Sequence, residues 1–251
     1  MVFGAVNNQL LPLSCLKDHD SSQCIQEASQ FLFHTGDRKK LDKIRHDYHQ
    51  ESEDWLQEVL RKIASLQSIT SLTDVEYTQL TQIHTLKYNA LAAKHSLAHQ
   101  QGNCGEHSSV ALLEILEHVM RTGKTIRKIQ EVFVMDSKSQ NRIIDHQFLL
   151  LNNDQDDIDI KNDKKAVKKY LNSIQRGKIC DSWNKHYHNF ADDQSGFYKN
   201  GIDYDHLEVK TISLDFSGIS QMRKAVRNVI CAELATINKE LAKKSGCQPK
   251  I

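Results

Sequence analysis

The sequence predicts an α+β fold, with long helices first, then strands that read as an antiparallel sheet, then a closing helix. Three observations carry this. Apolar residues recur at helical spacing across most of residues 37–122. Past residue 131 the pattern changes to short apolar and alternating runs. No Pro/Gly/Ser linker divides the chain, which holds only Pro12, Pro249 and 10 glycines in 251 residues. Helices segregated from strands in this way are the α+β pattern.

Each element has its own signal. Residues 37–67 form an amphipathic helix, because Leu41, Ile44, Tyr48, Trp55, Leu56, Val59, Leu60 and Ile63 recur on one face. A second helix starts at Thr73-Asp74-Val75-Glu76, which fits a capping box. Leu80, Ile83, Leu86 and Leu91 carry its stripe, and Gln101-Gly102-Asn103 breaks it. Residues 105–122 are so apolar, from Val110 through Met120, that this third helix is buried on most sides, with Gly123 as its C-cap. Val132 to Met135 and Ile143 to Leu151 read as strands, the second buried on both faces. Lys178 to Trp183 and Val209 to Phe216 are two more. A short charged helix over 162–174 and a closing helix over 220–243 complete the chain.

Composition bounds the function. Lys+Arg number 33 against Asp+Glu 32, so no basic field attracts nucleic acid or an acidic membrane, and neither is an expected partner. No apolar run approaches the roughly 20 residues of a membrane helix. The first basic residue is Lys17, so no Sec-type signal is expected. Cys15, Cys24, Cys104, Cys180, Cys231 and Cys247 are irregularly spaced and form no CxxC pair, as expected of reduced thiols.

Chemistry concentrates in three segments. In Gly102-Asn103-Cys104-Gly105-Glu106-His107-Ser108 a cysteine between two glycines opens a buried helix. A helix N-terminus favours thiolate through its partial positive charge, and its free N–H groups can hold an oxyanion. The competing reading is a buried cysteine used as a small apolar filler. In Ile144-Asp145-His146-Gln147-Phe148, strand alternation puts His146 on one face with Ile144, Phe148 and Leu150. A titratable ring on an apolar face needs a partner, either as a satisfied core histidine or as a catalytic base beside the thiol. In Ile179-Cys180-Asp181-Ser182-Trp183, Asp181 shares a face with Ile179 and Trp183. It is placed either to orient His146 or to form a turn. Together these make Cys104 the nucleophile, His146 the base and Asp181 the orienting acid.

Asn-Cys-Gly-Glu-His at 103–107, Asp-His-Gln-Phe at 145–148 and Ile-Cys-Asp-Ser-Trp at 179–183 resemble the three motifs of bacterial effector cysteine enzymes of the papain-like/transglutaminase-like superfamily. The family pattern often has Cys-Asp-Pro-Trp in the third block; Ser182 replaces that Pro and loosens the turn after Asp181. The resemblance spans about residues 100–185. It implies a papain/transglutaminase-like core with the nucleophile at a helix N-terminus packed on an antiparallel sheet. It also implies a helical extension over 1–98 that docks substrate and a catalytic core over 99–251, or a single domain. The implied activity is acyl transfer through a thioester on a protein substrate, of glutamine deamidase or transglutaminase type. A substrate-specific cysteine protease is the alternative, and a non-catalytic host-protein interaction module with a vestigial triad is another. The implied partner is a host protein reached by non-Sec secretion into the host cytoplasm; the alternative location is the cytoplasm of the producing cell. No cofactor and no metal are needed.

The oxyanion donor is the Cys104 N–H, with Gln101 as the chosen side-chain candidate over Gln100 and Asn103. His95 and His99 have the i, i+4 spacing of metal ligands but lack the Glu of a zinc protease. Cys180, His186 and His188 are a second possible metal set, and His186 is an alternative base. His107 reads as a helix-surface residue, Glu106 as a first-turn dipole partner and the lysines of 161–169 as a solvated face.

Overall fold

The computed structural model describes residues 33–34, 38–66, 69–122, 128–137, 144–193, 198, 204–213 and 216–244. The expected cap Gly123, and Cys15, Cys24 and Cys247, lie outside them. The chain is α+β, as its patterning predicts.

Helix α1 (Arg38–Ala64) buries Leu41, Ile44, Tyr48, Ser52, Val59 and Ile63, one face at helical spacing. Helix α2 (Asp74–His99) starts next to Thr73, its N-cap, as the capping-box motif predicts. Thr73 accepts from the Glu76 N–H while the Glu76 carboxylate accepts from the Thr73 N–H, a complete capping box. Such a cap stabilises a helix by about 1 kcal/mol. Glu76 also accepts from Arg223 near the start of the closing helix, so one carboxylate fixes two helix starts. The α2 C-cap, Gln100, is left-handed at φ 53° and turns the chain into strand β2 (Gln101–Gly102). Strand β1 (Phe33–His34) pairs with β2 in parallel.

Helix α3 (Cys104–Thr122) follows, with Val110, Ala111, Leu112, Leu113, Ile115 and Leu116 all buried. Strands β3 (Ile129–Asp136), β4 (Ile144–Leu151), β5 (Ile158–Ile160), β6 (Lys178–Cys180) and β7 (His206–Thr211) make a fully antiparallel sheet in the order β5-β7-β3-β4-β6. Between them lies helix α4 (Lys164–Ser173), capped by Asp163, and the sequence closes with α5 (Lys224–Lys244).

Strand alternation divides β4 between two cores. Leu149 and Leu151 join one built from α1, α2, α3 and α5. Phe148 and Leu150 join another, on the opposite face, with Val167 and Leu171 of α4, Phe190, Tyr198 and Tyr204. The first core is continuous from Val59 and Leu86 to Ile115 and Ile230, so helices on both sides of residue 98 bury the same surface. Trp55 of α1 also donates to Glu233 of α5 at 2.9 Å.

Two expected strands shift. The stretch from Lys178 stops being a strand at Cys180, because Asp181 and His186 exchange backbone hydrogen bonds at 2.9 Å and close a tight loop around residues 182–185. The last strand runs over His206–Thr211, earlier than expected, where Leu207 and Val209 alternate into the second core. Strands β1, β2 and β5 are too short for periodicity to reveal. Among the described residues no helix is long and apolar enough to cross a membrane.

Candidate active site

The site sits where the start of α3 meets β4 and the loop after β6. Cys104 is the first residue of α3 and half-exposed, with a free thiol. The helix start is shaped by Glu106, which is only 2% exposed. Its carboxylate accepts from the Asn103 N–H at 2.9 Å, from Arg45 Nε at 2.8 Å and Nη2 at 3.1 Å, and from the Tyr48 hydroxyl at 3.0 Å. Burial pushes Glu106 up, but Arg45, the Asn103 N–H and Tyr48 outweigh it and hold the carboxyl below its ordinary value. Glu106 is therefore a buried anchor, more than the dipole partner expected. The Asn-x-x-Glu spacing at 103–106 was the legible signal for it, being half of a capping box. The Arg45 and Tyr48 partners, 61 and 58 residues away, had none.

The Asn103 side-chain oxygen is buried without a hydrogen-bond partner, so it does not cap the first N–H groups of α3. Gly105 is close-packed: a Cβ there would lie 3.2 Å from Gln147 Oε1. Gln147 itself donates to Glu131, whose carboxyl is pushed up by burial despite that bond.

His146 lies on the β4 face shared with Phe148, their rings stacked at 5.9 Å. Its Nε2 stands 2.6 Å from Asp181 Oδ2. An ionised carboxylate only accepts, so Nε2 carries the proton and donates it. The other ring nitrogen takes no part in that bond, and Cys104 is close enough to act on the imidazole. Burial would depress the imidazole; the hydrogen bonds to Asp181 and Cys104 and their charge override it, and His146 is raised to about 9.

Asp181 is 1% exposed and fully satisfied. Oδ2 accepts from His146, from the Tyr198 hydroxyl at 2.5 Å and from Asn184 Nδ2 at 2.9 Å; Oδ1 accepts from the Asn184 N–H at 3.0 Å. Burial pushes the carboxyl up, but these donors, His146 first, bring it below its ordinary value. The loop is tied to helix α3 by Ser182, whose hydroxyl donates to the His107 carbonyl at 2.9 Å. Ser182 is thus a tether where the motif suggested a looser turn.

His107 is not on the surface. It is 5% exposed, and its ring meets Trp183 edge-on at 5.2 Å, because the 181–186 loop covers this part of α3. Gln101 sits in β2 beside Phe33, with its side-chain oxygen buried and unpartnered, and among the described residues no hydrogen bond joins it to Cys104 or His146. Gln100 is the exposed left-handed cap of α2. His186 contacts the Tyr198 hydroxyl at 3.0 Å.

The metal alternatives are dispersed. His95 pairs with Glu51 at 2.8 Å and His99 is exposed. Cys180 points into the helical core, where burial pushes its thiol up, and His188 lies 3.7 Å from Asp193. Among the described residues no group of three or more His, Cys, Asp or Glu is placed to hold a metal.

These features define an α+β chain with a Cys–His–Asp constellation at a helix start. No family model, curated protein or solved structure matches it.

Proposed function

We propose that this chain is a cysteine-dependent acyl-transfer enzyme with a papain/transglutaminase-like core, acting on a glutamine side-chain amide of a protein substrate. The observation that carries the reading is the buried imidazole of His146, hydrogen-bonded to Asp181, with Cys104 at the start of α3 close enough to act on it. A proton-bearing imidazole beside a cysteine at a helix start is the base–nucleophile pairing that acyl transfer through sulfur requires. The resemblance of the 103–107, 145–148 and 179–183 motifs to bacterial effector cysteine enzymes supports a host protein as substrate.

The Cys104 sulfur attacks the amide carbon, forming a C–S bond and an oxyanion that the Cys104 N–H stabilises. The C–N bond breaks as His146 gives its proton to the departing ammonia. Water then attacks the thioester and loses a proton to His146, and the C–S bond breaks to release a carboxylate and regenerate the thiolate. An amine in place of water gives a cross-link. Asp181 keeps the ring oriented and stabilises its charged form throughout.

The test uses Cys104→Ala to capture a substrate, which is then treated with wild-type protein and weighed intact. Deamidation adds about 1 Da per turnover, cross-linking joins chains and proteolysis shortens one. The acyl-transfer reading predicts the first or second. A shortened chain moves the activity to proteolysis, and a mass unchanged by wild-type protein defeats the enzyme reading.

A further inference from the structure

A hydrogen-bonded chain continues behind the constellation. Tyr198 donates its hydroxyl proton to Asp181 Oδ2 at 2.5 Å, so its oxygen can only accept from His186 Nδ1, 3.0 Å away. Four groups are therefore linked in series: His186, Tyr198, Asp181 and His146. Tyr198 is buried, packs edge-on against Phe148 at 4.9 Å and against His186 at 5.6 Å, and is thereby locked in place. Such a lock is what a second layer of residues needs in order to orient the first.

We propose that Tyr198, backed by His186, is a positioning residue that fixes Asp181 and draws part of its negative charge away from His146. The inference rests on the acyl-transfer reading of this site. Hydrogen-bond donors compete for the charge of one carboxylate oxygen. Each proton that Tyr198 or Asn184 directs at Oδ2 leaves less charge for the His146 N–H. The groups facing this series from the packed elements are Cys104 of α3, Asn184 and His186 of the loop, His188, whose ring lies against Tyr198, Asp193, whose carboxylate accepts from the Tyr198 N–H, and Tyr204, whose hydroxyl is pushed up by burial and then by the charges of Asp181 and Asp193. Removing the Tyr198 hydroxyl returns charge to the His146 contact. His146 then holds its proton more tightly and becomes a poorer acid for the leaving group.

The experiment is an NMR titration of the 13C-labelled His146 ring in the full chain, for wild type, Tyr198→Phe and His186→Leu. Tyr198→Phe is expected to raise the His146 midpoint by about 0.5 pH units or more. His186→Leu removes the His186 donor from the Tyr198 hydroxyl and is expected to raise it less. His186→Asn, whose side-chain nitrogen can take the place of Nδ1, is expected to restore the wild-type midpoint. A merely structural role changes unfolding temperature and leaves the midpoint alone. If Tyr198→Phe does not fold, the two His186 variants decide. An unchanged or lowered midpoint in the folded variants overturns the proposal. This result is separate from the fate of the catalytic reading, which stands or falls on Cys104 reactivity in wild-type protein.

Discussion

Arg45 of α1 grips Glu106 of α3 through two of its nitrogens, at 2.8 and 3.1 Å, two residues after Cys104. The first helical element of the described chain thus holds the turn that carries Cys104. The stretch before residue 99, expected to dock substrate, is also part of the machinery that shapes the site.

Arg45→Met tests this. It leaves the Glu106 carboxylate buried with the Tyr48 hydroxyl and the Asn103 N–H as remaining donors. Breaking one side of a buried pair typically destabilises by about 3 kcal/mol. Arg45 is partly exposed, so water offsets some of that, and the expected loss in urea unfolding is about 1–3 kcal/mol. Cys104 reactivity should fall with it, whereas a pure docking role leaves reactivity untouched.

The pH dependence follows from the two shifts. His146 is raised to about 9 in the folded chain, above its ordinary 6.5, so its contribution to stability is complete below about 6.5 and is lost as pH rises through about 9. Asp181 is lowered, so its contribution is present above its ordinary 3.8 and is lost as pH falls through its depressed value. Unfolding free energy should fall on the alkaline side in wild type, and by less in His146→Gln. Turnover should have an alkaline limb near pH 9, where His146 gives up the proton the leaving group needs.

Ser182→Ala removes the tether to the His107 carbonyl. A hydrogen bond of this kind contributes about 1 kcal/mol net. The variant should lose about that much in denaturant unfolding and show broader ring signals for Trp183, which packs on His107. Unchanged stability in Ser182→Ala means that the loop is held by the Asp181–His186 bridge, Asn184 and the Trp183 ring without help from Ser182.

Much of this arrangement was legible in the sequence because local rules governed it. Thr73-x-x-Glu76 announced the start of α2, and the apolar run Phe148 to Leu151 of β4 announced a buried strand. The order of Cys104, His146 and Asp181 across a helix start, a strand and a strand end suggested their convergence. Other features were hidden because they depend on side chains distant in sequence. Nothing near Tyr198 indicates that its hydroxyl reaches Asp181, 17 residues back. His107 looked exposed because helical periodicity does not foresee a loop folding over the first turn. The strand from Lys178 appeared longer because the bridge between Asp181 and His186 keeps an extended look in sequence while turning the chain.

The most direct measurement is alkylation by iodoacetamide at pH 7, read for each cysteine by peptide mass in wild type and in His146→Ala. Cys104 and Cys231 are both free and half-exposed, so accessibility alone gives them similar rates. Cys104 is expected to react at least about tenfold faster than Cys231, and the advantage is expected to disappear in His146→Ala. Equal rates in wild-type protein, or a fast Cys104 indifferent to the loss of His146, contradict this expectation.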